Sequence, residues 1–215
     1  MIDSYSKLPL GMYLDIRALQ EDPAIDETDL RVKVCALLAG KTEREVLNAP
    51  FSETAAWFRG MAFLSDEVPI ARRIADAYQV GGFDLVPTTD LRKLTTAQYF
   101  DFQAFAPGGE AKLPELLAAF LVPRGKTYGD GYDVVEVQQA IRDALPVTDV
   151  IALSAFFLSK YAALIRATRR SLATMNRTEK IPQRKALIRE MLANLEKTVL
   201  IFSRLAGGGS TASTE

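Results

Sequence analysis

The chain has 215 residues, 48% of them hydrophobic and 25% charged, with a formal net charge of -1, the make-up of an ordinary globular protein. It contains no histidine and one cysteine, which excludes histidine-dependent triads and general bases, zinc sites of the Cys/His type and any intramolecular disulfide. Charge is polarised along the chain: residues 1–67 carry 7 basic against 12 acidic side chains, residues 68–159 carry 8 against 11, and residues 160–205 carry 11 against 3.

Met1-Ile2-Asp3-Ser4 lacks the basic and apolar blocks of a secretory signal, and the lone Cys35 suits a reducing compartment, so the cytoplasm is the expected address. The first predicted helix runs over Leu8 to Leu19, with Pro9 in its first turn, where a missing N–H costs nothing. Acids at Asp26 to Asp29 start a second helix whose Leu30, Val34, Leu37 and Leu38 recur at helical spacing up to Gly40, a favoured residue just past a helix end. Thr42 and Glu45 form a capping box for a short helix to about Asn48. Pro50 ends it, and Ser52 is expected to cap a helix through Trp57, Phe58, Met61 and Leu64.

The period then changes. Two short alternating runs, Ala77 to Val80 and Phe83 to Val86, flank Gly81-Gly82, which supplies the positive φ that a two-residue hairpin turn needs. The pairing predicted across that turn sets Val80 opposite Phe83 and Tyr78 opposite Leu85, four apolar side chains on one face.

After Pro87 the helical pattern returns. Thr95 and Gln98 make a second capping box, opening a helix through Tyr99, Phe102 and Phe105 that Pro107-Gly108-Gly109 terminates. A compact apolar helix is predicted over Leu113 to Leu121, stopped by Pro123; a glycine-rich loop over Lys126 to Asp133; and an amphipathic helix over Val134 to Ala144. Asp130 and Asp133 lack the twelve-residue calcium-loop pattern and read as loop residues. Two long helices close the chain, Thr148 to about Met175 and Pro182 to Leu205, before a Gly/Ser/Thr tail over 206–215 that is expected to be disordered. The apolar stretch Val150 to Ile165 is shorter than the ~20 residues a bilayer needs, and reads as a core helix.

Residues 7–19 align without gaps on residues 93–105, with five of thirteen positions identical. The order of elements that follows is also similar: an apolar helix, then Pro50-Phe51-Ser52-Glu53 or Pro146-Val147-Thr148-Asp149 leading into an aromatic helix. The expected fold is therefore mainly α: a helical bundle of two related halves, 1–67 and 93–175, with a linker over 68–92 that holds a β-hairpin at about residues 77–86, and a C-terminal amphipathic helix over 176–205. Tyr13 with Asp15 and Tyr99 with Asp101 recur in both halves, as structural anchors do, whereas an active site needs unlike groups.

A helix opening of the form Leu-Thr-x-x-Gln-Tyr-x-Asp (Leu94 to Asp101), then Val122-Pro123-Arg124, a loop bearing Tyr128 and Tyr132, and Leu145-Pro146 leading to Phe156-Phe157 resembles small proteins encoded in the structural gene clusters of tailed bacteriophages. These look like tail-assembly-chaperone or tail- and baseplate-associated proteins. The resemblance covers roughly residues 7–172 and is weaker in the first half, where Pro9 and Gly11 replace a threonine and a polar residue. It implies a non-enzymatic role in building the virion tail, without cofactor or metal, in the host bacterial cytoplasm or retained in the particle. The implied partners are tail or virion proteins, and a second copy of the chain is a further one.

Other chemistry is less well provided for. Cys35 sits on an apolar helix face with no histidine to activate it. Arg166, Arg169, Arg170, Arg177, Arg184 and Lys185 crowd into one basic segment and are the candidate partner-binding residues. Binding of nucleic acid through residues 166–189 is the alternative, although no aromatic side chain interleaves with these bases to stack on nucleotides.

Overall fold

The computed structural model describes residues 1–69, 73–178, 182 and 186. The fold is mainly α with a small antiparallel sheet. In chain order the elements are α1 (Leu10–Glu21), α2 (Glu27–Ala39), α3 (Glu43–Asn48), α4 (Phe51–Gly60), β1 (Tyr78–Val80), β2 (Phe83–Pro87), α5 (Thr96–Phe105), α6 (Leu113–Ala118), β3 (Leu121–Pro123), α7 (Val134–Ala144) and α8 (Val147–Thr178). Of the predicted helix over Pro182 to Leu205 only Pro182 and Ala186 are described, both helical, and the tail over 206–215 lies outside the described residues.

Local chemistry accounts for most element boundaries. Asp26 caps α2 by accepting from the Thr28 and Asp29 N–H groups, and Gly40 closes that helix in the left-handed conformation. Both capping boxes are formed, Thr42 with Glu45 on α3 and Thr95 with Gln98 on α5. The hairpin has the predicted register, Tyr78 opposite Leu85 and Val80 opposite Phe83. Its turn residues Gly81 and Gly82 have φ of 55° and 85°, values a residue with a side chain rarely adopts.

Three boundaries differ from the sequence expectation. Pro9 stands just before α1 as its N-cap, and the helix runs on to Glu21. Ser52 does not cap α4; Pro50 does, without a side-chain bond, and the helix ends at Gly60 before a 3-10 turn over Ala62–Ser65. The apolar run after Leu113 is helical only to Ala118, and Leu121–Pro123 becomes a third strand paired with β2. Residues 119–123 are as apolar as a helix core, but Val122 and Pro123 favour extended backbone, and Thr88 N–H and Arg124 N–H bond to Phe120 C=O and Asp84 C=O across the pairing.

The aligned segments share their local build. A 3-10 turn (Tyr5–Lys7 or Leu91–Lys93), one extended leucine (Leu8 or Leu94) and an extended N-cap (Pro9 or Thr95) precede α1 and α5 respectively. Pro50 and Pro146 stand in the same way before α4 and α8, each accepting from the N–H groups three and four residues on. In each half the second helix is central: α2 touches α1, α3 and α4, and α6 touches α5, α7 and α8.

One contact between the halves is made by main chain. Pro9 and Pro146 form an isolated antiparallel bridge, in which Leu10 N–H donates to Leu145 C=O and Val147 N–H to Leu8 C=O, each at 2.9 Å. Leu8, Leu10, Leu145 and Val147 are all at most 1% exposed. Leu8 and Val147 belong to a cluster with Tyr5, Ile16, Val34 and Leu38, whereas Leu10 and Leu145 belong to the main core of the hairpin, α5, α6, α7 and α8. The bridge therefore stitches two apolar cores together.

Gly11 explains how closely α1 approaches α7: a Cβ there would lie 2.8 Å from Arg142 Cγ and 2.9 Å from Arg142 O. Pro9 and Gly11, the two departures of the first half from the second, are thus the residues at the crossing. In Gly11→Ala the helix-propensity gain of up to ~1 kcal/mol opposes an overpacking cost of ~1–3 kcal/mol. Because a backbone carbonyl cannot swing aside, we expect a net loss of stability, read as a lower urea midpoint. Gly40→Ala, where no atom lies within 4 Å of the added methyl, would lose only through its backbone conformation.

Candidate functional site

The basic segment lies on α8 as far as Arg177. Among the proposed binding residues, Arg166 and Arg170 are exposed and one helical turn apart. Arg169 and Arg177 fall within the same helix, and Arg184 and Lys185 lie outside the described residues. The first part of α8 is core: Val150, Leu153, Phe157 and Tyr161 are at most 6% exposed. Phe157 stacks on Phe120 with ring centroids 4.3 Å apart, and Phe102 meets both Phe120 and Tyr161 at about 5 Å. The aromatic pair Phe156-Phe157 thus splits, Phe157 buried and Phe156 half-buried beneath Lys160.

This helix is also long and apolar enough to cross a membrane by length and composition. The candidate stretch is Val147–Asn176, with mean hydropathy 1.5 in its most apolar window, longer than the Val150 to Ile165 stretch on which the sequence argument rests. A core helix passes the same test when it is mostly buried; here 36% of that window is buried, with Val150, Leu153, Phe157 and Tyr161 in the main core.

The two recurrent Tyr/Asp pairs do not converge. Asp15 accepts from Arg142 at 2.8 Å, tying α1 to α7, and Asp101 accepts from the Tyr128 hydroxyl at 2.7 Å, tying α5 to the glycine-rich loop. Asp133 is occupied as the cap of α7. Gln98 is the buried polar side chain of this region: it accepts from Thr95 N–H and donates to Ala119 C=O at 2.7 Å, joining α5 to the segment that leads into β3. Cys35 is fully buried, and burial raises its thiol pKa, which disfavours the reactive thiolate.

Two open depressions, of about 390 and 840 Å³, adjoin each other at Lys41, Thr42 and Arg44. Their charges are mixed and paired in part: Lys33 pairs with Glu43 at 2.9 Å, and Lys41 lies over the Trp57 ring. Among the described residues, no three Cys, Asp or Glu side chains gather as metal ligands.

The sequence reading passed over a set of exposed apolar side chains. Leu47, Phe51 and Phe58 line the α3–α4 edge with 70%, 88% and 39% exposure, and Tyr99 and Phe100 stand out from α5. A signal was present, since Phe51, Ala55 and Phe58 recur at helical spacing on a face of α4 opposite to Trp57, which packs on α2. Comparison with protein-family models, with curated proteins and with solved structures finds no match for this chain.

Six tyrosines make the structure sensitive to alkali. Burial pushes Tyr13 and Tyr161 up to about 12, with Glu110 adding to the effect at Tyr13. Burial, with Asp101 beside it, raises Tyr128 further, and burial raises Tyr5, Tyr78 and Tyr132. A hydroxyl whose pKa is raised in the fold contributes stability that is complete below the unfolded value of about 10 and is lost as pH climbs through the folded value. The urea midpoint should therefore be flat on this account up to pH ~10 and fall steeply above it. Tyrosinate absorbance should rise together with loss of helix rather than before it.

Proposed function

We propose that this protein acts without enzymatic chemistry, binding tail or virion proteins during bacteriophage tail assembly, in the host bacterial cytoplasm or within the particle. The observation that carries this reading is the pair of exposed arginines on the second half of α8. The helix has 32 residues; its members of the main core cluster run from Val150 to Tyr161, and Leu172 is buried further along. The residues that follow Tyr161, as far as Thr178, add roughly 25 Å at 1.5 Å per residue, and this stretch presents Arg166 and Arg170 to solvent. A long helix that presents two arginines one turn apart suits capture of an acidic or amphipathic partner, and its charge would speed and orient the encounter. The resemblance of Leu94 to Phe157 to phage tail-cluster proteins supplies the class of partner.

Exposed arginines one turn apart also favour a second reading, contact with nucleic acid. Salt distinguishes the two. Neutralising two phosphates would make DNA affinity fall about tenfold between 50 and 200 mM salt, whereas a complex built on apolar contact persists.

Affinity capture of the tagged full-length chain from phage-infected cells should recover tail or virion proteins at 200 mM salt. Arg166→Glu with Arg170→Glu should reduce that recovery several-fold while leaving the circular dichroism spectrum unchanged. Recovery of no virion protein, or recovery unaffected by the double substitution, contradicts the reading.

A further inference from the structure

The bridge at Pro9 and Pro146 uses one half of each matched segment and leaves the reciprocal pair unused. Leu8-Pro9-Leu10 of the first half covers Leu145-Pro146-Val147 of the second. The aligned partners are Leu94-Thr95-Thr96 and Ala49-Pro50-Phe51. Thr95, at φ -69° and ψ 159°, has the backbone of Pro9, at -64° and 149°, and Pro50 is likewise extended at -57° and 143°. Yet among the described residues no backbone bond reaches Thr96 N–H, Leu94 C=O, Phe51 N–H or Ala49 C=O, the four groups equivalent to those bonded in the bridge.

The side chains show the same contrast. Val147 is 1% exposed where its counterpart Phe51 is 88% exposed. Tyr13 and Leu14 of α1 pack on the main core, while Tyr99 and Phe100 at the aligned positions of α5 are 46% and 64% exposed. Each unused segment thus carries its own uncovered apolar patch, Leu47, Phe51 and Phe58 on one and Tyr99 and Phe100 on the other. Exposed apolar side chains grouped on one element, as Phe51 and Phe58 are on α4 and Tyr99 and Phe100 on α5, are the kind of surface that marks an interaction site.

We propose that the Ala49-Pro50-Phe51 edge is the docking site for the Leu94-Thr95-Thr96 segment of a second copy of this chain, repeating between molecules the bridge made within one. Thr96 N–H donates to Ala49 C=O of the other copy, Phe51 N–H donates to Leu94 C=O, and Phe51 is covered as Val147 is. Exposed Lys93 precedes Leu94 and exposed Glu53 follows Phe51, so charges of opposite sign flank the contact, while Arg92 is held by Asp90. The two surfaces are unlike, so the contact is heterologous; it closes as a reciprocal dimer or a ring, or extends as a chain. This inference stands apart from the α8 reading, because it uses neither α8 nor a foreign partner.

The test is sedimentation equilibrium of the full-length chain over a wide concentration range, alone and as two variants chosen to keep the fold. Phe51→Asp places an acid at the exposed first turn of α4, where it favours the helix dipole. Thr96→Pro removes one donor at the first position of α5, where proline is favoured and Thr95 already has the extended backbone that precedes a proline. The parent should rise above its 23.7 kDa monomer mass as concentration increases, and each variant should stay monomeric with an unchanged circular dichroism spectrum. A parent that is monomeric throughout overturns the proposal, as does association by either variant as strong as the parent's.

Discussion

Two backbone hydrogen bonds, from Leu10 N–H to Leu145 C=O and from Val147 N–H to Leu8 C=O, join segments some 135 residues apart at the place where two hydrophobic clusters meet. Each closes a helix beginning: the first N–H of α1 and of α8 would otherwise be an orphan donor, and here both lie among fully buried leucines and a valine, where an unpaired donor would cost about 1–3 kcal/mol. The sequence around the crossing is shaped by that requirement. Pro9 and Pro146 hold the extended backbone, Gly11 leaves room for Arg142, and Asp15 receives the Arg142 guanidinium. The hairpin, α6 and the aromatic stack on Phe157 then pack on a frame whose two ends are already tied.

Much of this frame is written locally. Capping boxes at Thr42 and Thr95, the acid cap at Asp26 and the Gly81-Gly82 turn depend on residues within four positions of one another, so a single sequence displays them. Where sequence and structure differ, the cause is a distant partner in one case and a competing neighbour in another. Leu121 to Pro123 extends because β2 offers it an edge, which nothing near Leu113 announces. Ser52 has the right chemistry for a cap, but Pro50 fixes the chain entry two residues earlier.

The candidate site is less legible than the fold for a related reason. A run of basic residues is visible in any sequence, but whether those residues face solvent is settled by which side of α8 the core takes, and that depends on Phe120 and Phe102 from elsewhere in the chain. The exposure of Phe51 is ambiguous in the sequence for the same reason. Apolar side chains at helical spacing signal a core face, and α4 has two such faces, of which α2 covers only the one with Trp57. The aligned halves supply what composition cannot: the same local build is covered once, at Val147, and left open once, at Phe51.

Hydrogen exchange at two backbone amides tests the central claim most directly. If the Pro9–Pro146 bridge holds the halves together, the Leu10 and Val147 amides exchange only when the whole molecule unfolds, at the rate of the slowest amides in α6 and α8. Exchange of either amide while the interior of α6 is still protected would show that the crossing opens on its own, and would contradict the account.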